Sequence, residues 1–207
     1  MNFRIIFIRD YFVYTNFFNF LTVCCGGRIY EDKKPSDSTY LRWKYGKERE
    51  CALASERSKN PNAGFQTNNF LIHKNIFEKV KFNEDLTGYG HEDTLFGLEL
   101  LNQKIIITHI DNPLIHLGLE SAYDFLEKTE NGIENLYRIE LLLREKYPEY
   151  INHSRLMRAK LTLQKYHLSG FVSKLFSIMR KQMRNNLLSK NPSLMIFDFY
   201  RLGLLCK

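Results

Sequence analysis

Two adjacent carboxylates, Glu92 and Asp93, lie just before an apolar helical pattern, at the end of a glycine-containing segment. The segment consists of Gly88, Tyr89, Gly90, His91, Glu92 and Asp93. Its glycines permit backbone conformations that other residues rarely adopt and let a ligand approach the main chain closely. A carboxylate in such a turn can accept a proton from a bound hydroxyl group. A helix N-terminus also favours acidic side chains by about 0.3–1 kcal/mol, so helix capping is the alternative role of Asp93.

Four further segments accompany the acidic segment in a fixed order along the chain. They are Cys25–Tyr30, Leu41–Gly46, Phe65–Ile72 and His109–Gly118. From about Val23 to about Tyr137, this ordered series resembles the C-terminal half of a bacterial family 2, GT-A-type glycosyltransferase with a galactosyltransferase-like Gly-Tyr-Gly-His-Glu-Asp motif. The resemblance implies an α/β fold and a sugar-nucleotide donor.

The resemblance also implies roles for individual residues. Asp93 is then the general base, Glu92 binds the acceptor, and His116 helps to hold a divalent metal. The candidate substrate-binding residues are Gly88, Tyr89, Gly90, His91, Asn68, Asn69, Arg42 and Trp43. The implied reaction is an inverting transfer to a glycan or lipid-linked acceptor in surface-polysaccharide biosynthesis. For His116, a buried imidazole satisfied by backbone groups is the structural alternative.

A metal-binding motif of such enzymes is absent from this sequence. The family carries an upstream Asp-x-Asp that ligates the metal on the sugar-nucleotide diphosphate, and this chain contains no Asp-x-Asp. Phe7 to Val23 resembles the segment that normally follows that motif. We therefore expect an incomplete GT-A fold that lacks its N-terminal nucleotide-binding half. A divalent cofactor, Mn or Mg, is expected only if the missing motif is supplied, and a catalytically inactive glycan- or membrane-binding module is the alternative function.

Several polar candidates also have a structural interpretation. The amides of Asn68 and Asn69 can bind sugar hydroxyls as donor and acceptor at once, and strand alternation suggests that only one of them faces the site. Arg42 and Trp43 lie in a predicted loop that closes over donor or acceptor, and an ordinary solvated loop is the alternative. Arg28 is a candidate for a phosphate contact.

The periodicity of apolar residues predicts a mixed α/β order. Strands are predicted at Phe20–Val23 with Gly26–Tyr30, Phe65–Ile72, Ile105–His109 and Leu114–Leu117. Helices are predicted at Ile76–Val80, Thr94–Asn102, from Ser121 through Leu143, and at Ser154–Leu168. The polar stretch Glu31–Lys59 is predicted as a long loop with one short helix near Arg49–Ser58, and long loops of this kind are often lids.

Length and composition predict a soluble globular protein with one domain and an accessory element. The chain has 207 residues, and its four cysteines have no metal-ligand spacing, so we expect reduced thiols in the cytosol. Polar side chains interrupt the apolar residues 1–23, and no run reaches the roughly 18 apolar residues of a membrane-spanning helix. We predict that residues 1–146 form the C-terminal part of a GT-A domain and residues 147–207 a basic amphipathic helical tail.

The tail differs sharply in charge from the rest of the chain. Residues 1–150 contain 19 Lys and Arg against 22 Asp and Glu, whereas residues 151–207 contain 11 Lys and Arg against Asp198 alone, a net charge of +10. A segment this basic favours an anionic partner, either a nucleic acid or a membrane surface.

Helical spacing in the tail favours the membrane. Apolar residues recur every four positions, with basic residues on the other side: Phe171, Leu175, Met179, Met183 and Leu187. A basic amphipathic helix suits a lipid interface, and no nucleic-acid recognition motif is present. The apolar stretch Leu194–Leu205 either docks in the headgroup region or packs back on the catalytic core. We expect a cytoplasmic protein, peripheral on the inner face of the cell membrane, with an anionic membrane surface as partner and no nucleic acid.

Overall fold

The fold is taken from a computed structural model that describes residues 23–82, 90–146, 148 and 154–207. Within these residues the chain forms two compact units. The first, which we call the sheet unit, contains residues 23–34, 43–82 and 92–119. The second, which we call the helical unit, contains residues 35–42, 90–91 and the described residues from 120 to 207.

Two small sheets of the described residues form the centre of the sheet unit. Their strands are β1 (Val23–Cys25), β2 (Arg28–Ile29), β3 (Phe70–Ile72), β4 (Ile107–His109) and β5 (Leu114–Ile115). β1 lies in the middle of the first sheet, antiparallel to β3 and parallel to β4. β2 and β5 pair in parallel as the second sheet. This arrangement confirms the predicted mixed α/β class.

Short helices complete this part of the chain. They are α1 (Tyr40–Tyr45), α2 (Ala54–Arg57), α3 (Lys74–Lys79) and α4 (Glu92–Asn102). Ile76 of α3 and Phe96 of α4 are buried in one apolar cluster with Val23 of β1 and Ile107 of β4. The ring centroids of Phe65 and Phe96 lie 5.3 Å apart in the same cluster. These contacts hold the start of α4, and with it the acidic pair, against the sheet.

The prediction of a long loop at Glu31–Lys59 is wrong in its first part, whereas the short helix predicted near Arg49–Ser58 is confirmed by α2. Asp37–Thr39 forms a 3₁₀ turn, α1 follows, and Gly46–Glu50 forms a π-helical turn. Apolar periodicity does not reveal α1, because Leu41 is the one apolar residue that this helix buries. A Cβ on Gly46 would overlap the Tyr30 ring, so this glycine allows the two segments to meet closely.

The helical unit consists mainly of four helices among the described residues. They are α5 (Ala122–Lys146), α6 (Arg155–Lys165), α7 (Ser169–Leu187) and α8 (Leu194–Leu205). Ser121, Ser154 and Ser193 accept hydrogen bonds from backbone N–H groups in the first turns of α5, α6 and α8, which is the usual role of an N-cap serine. The helices predicted from Ser121 and Ser154 are thereby confirmed.

The helix α8 lies inside this unit. Its residues Phe197 and Tyr200 are buried, and the Phe197 ring stacks on Phe125 of α5 at a centroid distance of 5.4 Å. Gly203 brings the backbone of α8 next to Phe176 of α7, where a Cβ would lie 2.4 Å from the ring. The apolar stretch Leu194–Leu205 therefore packs on α5 and α7 within the helical unit. The helices beyond the predicted boundary at residue 146 thus pack on α5, while the boundary itself stays a prediction.

The helix α7 is confirmed, but only part of its predicted apolar stripe is buried. Met183 and Leu187 are buried, together with Val172 and Phe176, whereas Phe171 is exposed. Steps of four residues rotate by about 40° around a helix of 3.6 residues per turn, so five such residues cannot share one face. Among the described residues, no helix is both long enough and apolar enough to cross a membrane.

Acidic residues of α5 pair with the basic helices. Glu130 accepts hydrogen bonds from Arg180 at 2.7 Å and from Arg184 at 2.6 Å, both on α7. The hydroxyl of Tyr200 on α8 donates to the same carboxylate at 2.5 Å. These contacts hold both arginines of α7 against α5 through one shared carboxylate.

Candidate functional site

The acidic pair opens α4, and a threonine orients the carboxylate of Asp93. Glu92 and Asp93 are both half-buried and lie in the first turn. The Thr67 hydroxyl donates to Asp93 Oδ1 at 2.7 Å, and the Thr67 N–H donates to Oδ2 at 3.2 Å. A carboxylate has about four lone-pair sites, so both oxygens retain capacity for a further partner. The contact therefore holds Asp93 in one orientation without saturating it.

The two asparagines lie in the turn before β3, whereas the predicted strand Phe65–Ile72 included both of them. The Asn69 amide donates to the carbonyl oxygens of Gly27 and Asn112, both at 2.8 Å. The N–H of Gly26 donates to the Asn69 carbonyl at 3.0 Å. Asn69 therefore ties three segments together and serves the architecture.

Asn68 has a different environment from its neighbour. Its Oδ1 atom is buried and accepts no hydrogen bond from the described residues. A buried amide oxygen without a donor is costly to leave unsatisfied. Of the two asparagines, Asn68 is thus the better candidate for a hydrogen bond to a ligand.

A chain of polar contacts leads to His116, which is buried beside β5. Arg28 donates to Gln66 Oε1 at 2.9 Å and to Glu50 Oε2 at 3.2 Å. The Tyr30 hydroxyl donates to Glu50 and lies 3.0 Å from Nδ1 of His116.

These contacts define the tautomer of the His116 ring. The single hydroxyl proton of Tyr30 goes to Glu50, so Nδ1 of His116 must carry the proton that the Tyr30 oxygen accepts. The Nε2 atom of a neutral ring then holds the lone pair. Ligand histidines commonly show this pattern, in which the other ring N–H is donated to an oxygen atom.

The described residues contain no group of three or more His, Cys, Asp or Glu side chains that could hold a metal ion. His116 could supply at most one ligand from this part of the chain. Divalent cations in carboxylate–diphosphate sites need several oxygen ligands in addition. The part of the chain that the structure describes therefore does not make a metal site by itself.

His109 is occupied by structural contacts. Arg57 donates through Nε to its Nδ1 at 3.1 Å, and its Nε2–H donates to the Pro61 carbonyl at 2.8 Å. Burial, aided by the charge of Arg57, lowers the pKa of His109. The same arginine donates to the Ile110 carbonyl at 2.8 Å, so it joins α2 to the end of β4.

Gly90 and His91 are bound to α5 in the helical unit. His91 donates through Nε2 to the Gly132 carbonyl at 3.1 Å, and Asn135 donates to the Gly90 carbonyl at 2.9 Å. Both residues have positive φ, 88° for Gly90 and 74° for His91, which is uncommon for a histidine. These contacts fix Gly90 and His91 on α5.

We expect the helical unit to lose stability in mild acid because of His91. Burial is the main cause that lowers the pKa of His91 from 6.5 to about 4. The contribution of His91 to the free energy of unfolding is complete above pH 6.5 and is lost as the pH falls toward 4. In this range the unfolded chain binds the proton more readily than the folded protein does, so protonation favours unfolding. The loss should amount to about 1–3 kcal/mol.

Urea unfolding between pH 7 and pH 4 measures this effect, as the difference between the parent chain and His91→Asn. Asparagine tolerates positive φ and does not titrate. A pH profile of the Asn variant identical in shape to that of the parent would show that His91 is not the group responsible.

Arg42 and Trp43 lie in α1, so the prediction that they belong to a loop is wrong. Arg42 is buried and pairs with Glu120 at 3.6 Å, and its guanidinium lies 5.0 Å from the centroid of the Phe125 ring. Trp43 is half-buried and donates through Nε1 to the Glu31 carbonyl at 2.8 Å. Arg42 therefore has a packing role that the sequence did not indicate.

Two predicted residues lie outside the described part of the chain, and other residues were missed. Gly88 and Tyr89 are the two outside it. The sequence did not indicate Thr67, Tyr30 or Glu50 as neighbours of the candidate catalytic residues. Thr67 and Tyr30 belong to two of the segments that resemble the glycosyltransferase family. Their membership in those segments is the only sequence feature that could have indicated them.

Comparisons with known proteins add no relative. No protein-family model, no curated protein and no solved structure matches this chain. The chain is a mixed α/β protein with a mainly helical second unit. Its function is therefore proposed from the resemblance of its sequence segments and from the geometry of their residues.

Proposed function

We propose that this chain is the acceptor-side half of a GT-A-type, family 2 glycosyltransferase that acts in surface-polysaccharide assembly at the inner face of the cell membrane. The observation that carries the proposal is the contact between Thr67 and Asp93. It joins two of the segments on which the resemblance rests, and it orients a half-buried carboxylate at the start of a helix. An oriented carboxylate within reach of a bound hydroxyl is what general base catalysis requires.

Asp93 acts as the base in the proposed reaction. The acceptor hydroxyl oxygen attacks the anomeric carbon of the donor sugar, and its proton passes to the Asp93 carboxylate. The bond between that carbon and the diphosphate oxygen breaks, and the nucleoside diphosphate leaves with the electron pair. Glu92 holds neighbouring acceptor hydroxyls, and Asn68 supplies a buried amide oxygen that can accept a hydrogen bond from the substrate.

The first sheet has an edge that is compatible with the proposed donor-side half. Within the described residues, β3 pairs with β1 on one side only, so its other edge can pair with an additional strand. This sequence contains no Asp-x-Asp, so in the proposed enzyme the donor-side half supplies that motif. We derive no step through a metal, because the residues present do not form its site.

A catalytically inactive binding module is the second candidate function. The missing Asp-x-Asp favours it, because transfer needs stabilisation of the departing diphosphate. In that case the chain binds a glycan or a membrane and turns over no donor.

A chimera distinguishes these functions. In it, this chain replaces the C-terminal half of a full-length family 2 transferase that retains its own nucleotide-binding half. Transfer of donor sugar to water, followed as release of nucleoside diphosphate from a panel of nucleotide sugars, needs no knowledge of the acceptor. We expect release by the chimera and little or none by the chain alone.

Calorimetric titration with nucleoside diphosphates and Mn²⁺ shows whether the donor half of the chimera is folded. A chimera that binds the nucleotide but releases none from any donor would support the inactive module and overturn the proposal. Robust turnover by the isolated chain would overturn the idea that the donor half is needed.

A further inference from the structure

The side of α7 that faces away from the helical unit carries apolar and basic side chains together. Helical spacing of three, four and seven residues places them on one face. The residues, which we call the outer face of α7, are Phe171, Lys174, Leu175, Ile178 and Lys181. Phe171 and Ile178 are each 66% exposed. Large apolar side chains that are exposed next to one another on a helix can form an interaction surface.

The charge of this surface is entirely positive. The sequence contains no Asp or Glu from residue 150 to residue 197. Arg180 and Arg184 point the other way and pair with Glu130. Lys174 and Lys181 are exposed and form no ion pair with any described residue. The outer face therefore presents uncompensated positive charge beside apolar side chains.

We infer that the outer face of α7 binds the surface of an anionic membrane. Its apolar side chains enter the interface between headgroups and acyl chains, while the lysine stems extend along the apolar surface and bring their ammonium groups to lipid phosphates. The exposed Tyr166 and Leu168, at the corner between α6 and α7, extend the apolar surface beyond the helix. A tyrosine suits the interface because its ring is apolar and its hydroxyl is polar.

Charge complementarity selects the membrane among possible occupants. A second copy of this chain would bring like charges together, which opposes association through this face. A nucleic acid would be attracted by the lysines but would leave Phe171, Leu175 and Ile178 in water. An anionic bilayer satisfies both the charged and the apolar parts of the surface. This inference concerns the helical unit and does not depend on the transferase proposal.

Removal of the tail is a poor test, because α7 and α8 bury core residues such as Phe176 and Tyr200. The better variant is Ile178→Gln with Lys181→Gln. The matched control is Leu53→Gln with Lys59→Gln in the sheet unit, since Leu53 is also 66% exposed and Lys59 is an exposed lysine. Both variants lose one exposed aliphatic side chain and one positive charge.

Co-sedimentation with vesicles measures binding. The parent chain should sediment with vesicles of phosphatidylcholine and phosphatidylglycerol in low salt, and hardly at all with phosphatidylcholine alone. Binding should weaken in high salt, where surface charges are screened. Loss of one lysine should weaken binding to the vesicles by about fivefold. Because the α7 variant also loses an aliphatic side chain, it should bind at least about tenfold more weakly than the parent. The control variant should bind within about twofold of the parent, because it leaves every residue of the outer face of α7 unchanged.

Tryptophan emission locates the face in the bilayer. Phe171→Trp should show a blue shift when anionic vesicles are added, and the parent, with Trp43 alone, should not. The inference is overturned if the parent does not sediment, if both double variants lose binding equally, or if the α7 variant binds like the parent. If the parent chain is retained on DNA but does not bind vesicles, and if the α7 variant is no longer retained on DNA, the partner is a nucleic acid instead.

Discussion

Asp93→Asn in the chimera should depress release of nucleoside diphosphate by about 10²–10⁴-fold, the usual contribution of a positioned acid or base. Asparagine keeps the shape of the side chain and can still accept the hydrogen bond from the Thr67 hydroxyl, but it cannot take up a proton. The affinity for the nucleoside diphosphate should stay close to that of the parent chimera. Release of the diphosphate from a nucleotide sugar, measured together with the melting temperature, tests this expectation.

The chain offers a matched control for this substitution. Asp124 also lies in the first turn of a helix, and its Oδ2 accepts a hydroxyl hydrogen bond from Ser121 at 2.7 Å. Asp124→Asn should therefore lower the free energy of unfolding by about 0.3–1 kcal/mol, as expected when a helix loses an acidic residue in its first turn. Turnover should stay unchanged. If Asp93→Asn behaves like Asp124→Asn, Asp93 is a helix cap and the assigned catalytic role is wrong.

Glu92→Gln in the same chimera separates the second carboxylate from the first. Its proposed role is to hold acceptor hydroxyls, so transfer to water should change much less than in Asp93→Asn. A loss as large as that of Asp93→Asn would mean that the two carboxylates act as one unit and that the assignment of separate roles is wrong.

Glu140→Gln should destabilise the helical unit by about 3–5 kcal/mol, the usual result of removing one partner from a buried ion pair. Glu140 and Lys160 are almost fully buried and join α5 to α6. Arg144 pairs with the same carboxylate at 2.5 Å. The amide oxygen of the substituted side chain can still accept a hydrogen bond from Lys160, but the buried ammonium group then has no opposite charge among the described residues, and the centroid of the Tyr137 ring lies 4.9 Å from it. Urea unfolding followed by circular dichroism measures the loss.

An exposed pair on the same helix provides the control. Glu134 and Arg138 lie 2.5 Å apart with the same spacing of four residues, but their side chains are more than 60% exposed. Glu134→Gln should change the free energy of unfolding by no more than about 0.5 kcal/mol, because solvent screens exposed pairs. Equal losses in the two variants would show that burial does not govern the contribution of Glu140.

Local signals in the sequence predicted much of the helical structure. The apolar pattern after Asp93 and the serines before α5 and α6 placed these helices to within a few residues, because periodicity and capping depend only on neighbours along the chain. Charge counting likewise separated the basic tail. Of the short helices between Glu31 and Lys59, α2 was predicted and α1 was not, because a helix of six residues completes less than two turns.

The orientation of α7 was decided by tertiary packing. The sequence placed Phe171 and Met183 on one side of the helix, and the structure exposes the first and buries the second. The buried side of α7 is determined by its contacts with α8, where the Phe176 ring packs against Gly203. Periodicity alone cannot do so when apolar residues occupy most of the circumference.

The composition and order of segments in the sequence determined that this protein has an acidic pair at a helix start, a mixed α/β class and a basic helical tail. Only the tertiary structure decided which side chains meet: Thr67 with Asp93, 26 residues away, and Tyr30 with His116, 86 residues away. The physical reason is that a contact between distant residues depends on how the intervening chain closes and packs. Local propensities depend on a few neighbouring residues and therefore do not determine how distant segments come together.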